Sequence, residues 1–173
     1  MKKIILITGG QRSGKSMYAE RLALSLTDQP IYFATARIWD EEFKERVKRH
    51  QARRGDNWTN IEEEKYLSHH TIYNKVCVVD CITLWCTNFF FDANQNNPKE
   101  PVIDEALDAI KKEFDQFTAQ DATFIFVTNE IGSGGVSDNV VQRRFTDMEG
   151  WMNQYVASKA NEVVLMVSGI PVK

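Results

Sequence analysis

Gly9-Gly10-Gln11-Arg12-Ser13-Gly14-Lys15-Ser16 follows the spacing GxxxxGK[ST], and it sits between the apolar run KKIILIT and a segment with helical period. Phosphate binding requires that placement. Glycines let the backbone curl until successive N–H groups converge, and the start of the following helix adds about half a positive charge. In such a loop the Lys15 ammonium reaches the β- and γ-phosphates of ATP or GTP, and the Ser16 hydroxyl joins the shell of Mg2+. Residues Gly9, Gly10, Gln11, Arg12, Ser13 and Gly14 form the rest of the expected nucleotide cradle, with Arg12 either touching phosphate or pointing into solvent. A second metal anchor is expected at the end of another buried strand. Asp80 closes VCVVD and fits it, the alternative being a cap on the following helix, a role Thr83 would fill equally. Thr128, Asn129 and Glu130 end a further apolar run, at the strand edge where ligands of open α/β sheets bind. Glu130 is a candidate for orienting a substrate hydroxyl or positioning metal-bound water, or for capping the next loop, and Gly132, Gly134 and Gly135 give that loop freedom to close.

His50 lies in RVKRHQARR, with Lys48, Arg49, Arg53 and Arg54 close in sequence. A neutral imidazole is nucleophilic near pH 7, where the neighbouring lysines and arginines are protonated. At helical spacing Arg46, Arg53 and Arg54 share its side, and these cations, with Arg49, suit the phosphates of a nucleotide. A lone histidine on a charged helix is more often solvated surface, and the residues alone leave that reading ahead. His69 and His70 read as a helix end or loop. Cys77, Cys81 and Cys86 lack a CxxC pair and sit in or beside an apolar run, as buried thiols of a reducing compartment do.

These groups need a scaffold that brings strand ends together. Lys3 to Thr8, Pro30 to Thr35, Lys75 to Asp80, Thr123 to Thr128 and Glu162 to Ser168 read as strands, several almost continuously apolar. Ser16 to Leu26, Glu41 to Arg54, Val102 to Ala119 and Asn139 to Ala160 carry helical spacing. Runs apolar on both faces, linked by crossovers of helical length, predict a doubly wound α/β fold: a mostly parallel sheet with helices on both faces, of the P-loop NTPase type. Asp92 to Pro101, DANQNNPKEP, reads as a flexible loop. At 173 residues with 43% hydrophobic content, one domain over residues 1–173 is expected. A net charge of -3 gives no basic field for a nucleic-acid partner. The apolar run after Met1 is short for a signal peptide and nothing reaches membrane-spanning length, so a cytoplasmic protein is expected.

Taken together and in order, ITGGQRSGKS, FATA followed by Asp40 and Glu41, RVKRHQARR, VVDCITLW with Asn88, VTNEIG, RRFTDMEGWMNQ and VSGIPVK resemble the bifunctional adenosylcobinamide kinase/adenosylcobinamide-phosphate guanylyltransferase family. The likeness spans essentially the whole chain. It implies phosphorylation of the aminopropanol hydroxyl of adenosylcobinamide with ATP or GTP. Transfer of GMP from GTP to the new phosphate would follow, by way of a guanylylated histidine. The family places that histidine in a run resembling RIxxHxxxR, which here selects His50. The resemblance also implies Mg2+, a corrinoid substrate and a homo-oligomer, taken as a trimer. Arg143, Arg144, Asp147, Asn153 and Gln154 fall in its blocks as nucleotide or subunit contacts, or as a solvated face. Two other readings stand beside it. One is another small-molecule P-loop kinase without nucleotidyl transfer. The other is a GTP-dependent binding module, which the lack of an NKxD guanine-reading motif disfavours.

Overall fold

The computed structural model describes residues 2–173. Seven strands form one sheet in the order β3-β2-β4-β5-β1-β6-β7. These are β1 (Lys3–Gly9), β2 (Ile31–Ala34), β3 (Thr59–Glu62), β4 (Val76–Asp80), β5 (Thr123–Asn129), β6 (Glu162–Val167) and β7 (Ile170–Val172). All neighbours run parallel except β6 and β7, which make an antiparallel hairpin at one edge. The helices are α1 (Lys15–Leu26), α2 (Glu41–Arg54), α3 (Ile82–Ala93), α4 (Asp104–Phe117) and α5 (Val140–Lys159).

The continuous apolar runs of β1, β4 and β5 are explained by burial from both sides. Ile4 and Leu6 of β1 join Phe124 and Phe126 of β5 in a core closed by α3, α4 and α5. Ile5, Ile7, Val78, Ile125 and Val127 point the other way, towards Ala19 and Ala23 of α1. The five expected strands and four expected helices are present, with ends moved by a residue or two.

Three elements were not expected. β3 is an edge strand of four residues, TNIE, with no buried position. β7 is shorter still and carries Pro171. α3 is apolar around most of its surface, burying Ile82, Trp85, Cys86, Asn88, Phe89 and Phe90, and so has no polar stripe to announce it. It also shortens the expected Asp92–Pro101 loop. Asp92 belongs to α3, where its carboxylate pairs with Arg37 at 2.8 Å and with Lys65 at 3.2 Å. All three cysteines are free and buried, as expected.

α2 differs from every other helix. None of its residues is buried. It is held by its own termini, with Asp40 accepting from the Phe43 N–H at 2.8 Å, Glu41 and Glu42 in the first turn and Arg53 and Arg54 in the last.

Candidate active site

β1 delivers the glycine loop to the carboxyl edge of the sheet, and α1 leaves it at Lys15. Gly9 has no room for a side chain: a Cβ there would meet the Met166 carbonyl oxygen and Ser13 Oγ at 2.7 Å each. Gly14 sits at φ 94, a left-handed conformation, with a Cβ position 3.2 Å from Gly169 Cα. Gly10, Gln11 and Arg12 are exposed, whereas Ser13 and Lys15 are buried. Ser13 Oγ has no hydrogen-bond partner among the described residues. Lys15 Nζ donates to the Gly10 carbonyl at 2.5 Å, closing the loop on itself. Burial holds its pKa below the usual lysine value, while Asp80 pulls it back up. A cavity of about 420 Å3 lies over this loop, bounded also by Glu130 and the β6–β7 turn.

Asp80, at the end of β4, meets Ser16 directly: Ser16 Oγ donates to Asp80 Oδ2 at 2.7 Å. A serine hydroxyl and one carboxylate, both hard oxygen donors, fit Mg2+, which fills most of its shell with water and phosphate oxygens. Among the described residues no group of three His, Cys, Asp or Glu side chains could cage a metal. The capping role considered for Asp80 falls elsewhere. Cys81 caps α3, its Sγ accepting from the Leu84 N–H at 3.5 Å, and Thr83 Oγ1 instead accepts from the Asn129 N–H at 3.0 Å.

Asp80 Oδ2 accepts a second hydrogen bond, from Tyr32 Oη at 2.6 Å. Burial and the adjacent carboxylate push the Tyr32 phenol well above its usual pKa, so it remains a donor. Arg54 lies across the Tyr32 ring, its guanidinium carbon 3.5 Å from the centroid. Tyr32 has no mark in the sequence, because a tyrosine in an apolar strand reads as core, and Arg54, expected among the phosphate-binding cations beside His50, instead packs on Tyr32 and Asn60. Arg54 does occupy the last position of the RIxxHxxxR run, and that was the available signal.

The remaining residues divide between two places. Glu130 is exposed beside the glycine loop. Its backbone N–H donates to the Gly9 carbonyl at 2.9 Å, and its Oε1 accepts from the Gly132 N–H at 3.0 Å. His50, Arg49 and Arg53 are exposed on α2, and Arg53 is engaged with Glu20 of α1 at 3.2 Å. No described hydrogen bond or ion pair joins His50 to the glycine loop.

Behind the end of β5, Thr128 Oγ1 donates to Asn153 Oδ1 at 2.7 Å, and Asn153 Nδ2 donates to Glu149 Oε1. Glu149 is 1% exposed and its Oε2 has no partner among the described residues. Burial first, and the nearby Glu130 charge, push its carboxyl up to about 7, against the pull of the Asn153 hydrogen bond.

A glycine loop between a buried parallel strand and a helix, with a carboxylate from a neighbouring strand on its serine, defines the P-loop nucleotide-binding class. A solved type III secretion system ATPase shares the fold, with a TM-score of 0.58 at 12% identity over 94% of this chain and 50% of that one. The family model for cobinamide kinase/cobinamide phosphate guanyltransferase matches residues 5–173. The chain is 38% identical to the bifunctional adenosylcobalamin biosynthesis protein CobU of Escherichia coli (strain K12), over 98% of each. It is 34% identical to the corresponding CobP of Pseudomonas aeruginosa, over 96% of this chain and 94% of that one. The protein therefore belongs to the cobinamide kinase/cobinamide phosphate guanyltransferase family.

Proposed function

We propose that this chain phosphorylates the aminopropanol hydroxyl of adenosylcobinamide with ATP or GTP, then transfers GMP from GTP to adenosylcobinamide phosphate through His50. The observation that carries the first step is the contact of Ser16 with Asp80 beside a buried Lys15, on a loop fixed by Gly9 and Gly14. Lys15 exchanges the Gly10 carbonyl for phosphate oxygen, and the loop N–H groups cradle the same phosphates. Ser16 and Asp80 would hold Mg2+, which would supply neutralisation of charge on the phosphates. Glu130, exposed at the mouth of the cavity, orients the substrate hydroxyl. That oxygen attacks the γ-phosphorus, the bond to the nucleoside diphosphate breaks, and the hydroxyl proton passes to water at the open mouth of the cavity.

In the second step an imidazole nitrogen of His50 attacks the α-phosphorus of GTP, a P–N bond forms and pyrophosphate leaves. A phosphate oxygen of adenosylcobinamide phosphate then attacks the same phosphorus. The P–N bond breaks, the imidazole is regenerated and adenosylcobinamide-GDP is formed. Arg49 and Arg53 steady the triphosphate. Exposure of His50 supports a nucleophile open to two successive substrates.

The catalytic unit is a single domain over residues 1–173, acting in the cytoplasm, and no helix among the described residues is long and apolar enough to cross a membrane. It works as a homo-oligomer, taken as a trimer. Exposed apolar side chains on the β6–β7 edge, Val163, Leu165, Val167, Ile170 and Val172, support burial against another copy.

Product analysis tests the sequence of reactions. Adenosylcobinamide with ATP alone should give the phosphate and stop. Adding GTP should then yield adenosylcobinamide-GDP and pyrophosphate in equal amounts. Accumulation of the phosphate with no pyrophosphate release would leave a kinase only.

A further inference from the structure

Tyr32 is 8% exposed, and its ring packs edge-on against Trp58 at 5.9 Å. Packing alone would be served by phenylalanine. A buried phenol needs a partner, and here the partner is the Asp80 oxygen that also holds Ser16. Two donors on Oδ2 fix the carboxylate and leave Oδ1 without a described hydrogen bond.

Over the face of the ring lies Arg54. Its side chain is 4% exposed, although the helix that carries it buries no residue as a whole. Burying a guanidinium is costly unless its donors and charge are met. Asn60 Oδ1 accepts from Nε at 3.1 Å and from Nη2 at 2.8 Å, Glu20 lies 3.8 Å from Nη1, and the Tyr32 ring takes the cation face-on. Arg54 is one helical turn beyond His50. An unbroken run of contacts therefore leads from the helix of the expected nucleophile, through Arg54 and Tyr32, to Asp80 and Ser16.

We propose that Tyr32 is a positioning residue for the metal-holding carboxylate of Asp80, braced by Arg54, so that the phosphate site and the His50 helix share one chain of side chains. The proposal rests on the reading of Ser16 and Asp80 as the Mg2+ site. Tyr32 acts by limiting the rotamers open to Asp80, and Arg54 acts by holding the Tyr32 ring in place.

Calorimetric titration of ADP, with and without Mg2+, tests this without turnover, the quantity read being the gain in affinity that Mg2+ confers. In Asp80→Asn most of the gain should vanish. In Tyr32→Phe it should fall by roughly three- to tenfold, while metal-free ADP binds as in the wild type, because one hydrogen bond to a carboxylate is lost. Arg54→Lys should lower the gain less, and Tyr32→Phe combined with Arg54→Lys should match Tyr32→Phe alone, since Arg54 works through the ring. A role in packing only would lower the melting temperature and leave the gain unchanged. A wild-type gain in Tyr32→Phe, with the gain lost in Asp80→Asn, overturns the positioning role and leaves the metal site standing. A wild-type gain in Asp80→Asn overturns the metal site, and the proposal with it.

Discussion

In the proposed reactions the glycine loop and helix α2 carry the two reactive functions, and they are built on opposite terms. The loop is preformed: Gly9 and Gly14 are hemmed in, Lys15 is buried, and strands on both sides of β1 fix its end. α2 stands in solvent, buries no residue, and touches the body mainly through the two arginines of its last turn. Phosphoryl transfer between bound substrates gains most from fixed geometry, because positioning and preset charge supply nearly all the catalysis. A nucleophile that first accepts a nucleotidyl group and then delivers it must meet two partners, and an exposed helix presents it to both. On the proposed mechanism rigidity belongs to the cradle and access to the nucleophile.

Stability should divide the two regions most sharply. Phe126, fully buried on β5, should cost about 3–5 kcal/mol when changed to alanine, through lost burial and the cavity left behind. Phe43, half-buried on α2, should cost about 1 kcal/mol or less on the same change. Denaturant melts of both variants check this. Similar losses would mean that α2 packs as firmly as the sheet and would remove the contrast.

Within the cradle, Lys15→Ala deletes a charge-assisted contact worth about 1.5–3 kcal/mol or more, so phosphorylation of adenosylcobinamide should fall at least tenfold. An unchanged rate would break the assignment of the loop.

A smaller effect probes the support behind the cradle. Glu149 has a folded-state pKa of about 7, raised above the ordinary carboxyl value of about 4.3. Its neutral form is favoured on folding, so its contribution is complete below the unfolded value and is lost as pH rises through 7. Glu149→Gln should therefore stabilise the protein at pH 8, by on the order of 1–2 kcal/mol, and leave it little changed at pH 4. Melting temperatures across that range check the sign. A steeper fall towards pH 8 in the variant would contradict it.

The same contrast decided what could be read from the sequence. β1, the loop and α1 were legible because a buried strand, a glycine pattern and a helical period each leave a local mark. α3 left none, since a helix apolar on most sides has no stripe, and β3 is an edge strand too short and polar to stand out. The Ser16–Asp80 meeting was anticipated from strand-end logic. Tyr32 and Glu149 were not: the partner of Tyr32, Asp80, is distant in sequence, and Glu149 shows its place only through Asn153, one turn along its helix, to Thr128 at the end of a separate strand. His50 came from the motif likeness, against the odds that its charged helix alone would give.

The central claim is that the solvated helix, not the cradle, carries the nucleotidyl group. Incubation with GTP labelled at the α-phosphate, followed by denaturation, tests it directly. Label should stay on the wild-type chain, be lost in acid and survive in base as a phosphorus–nitrogen bond does, and be absent from His50→Ala while adenosylcobinamide phosphorylation persists. Acid-labile label remaining on His50→Ala would contradict the claim and point to His69 or His70.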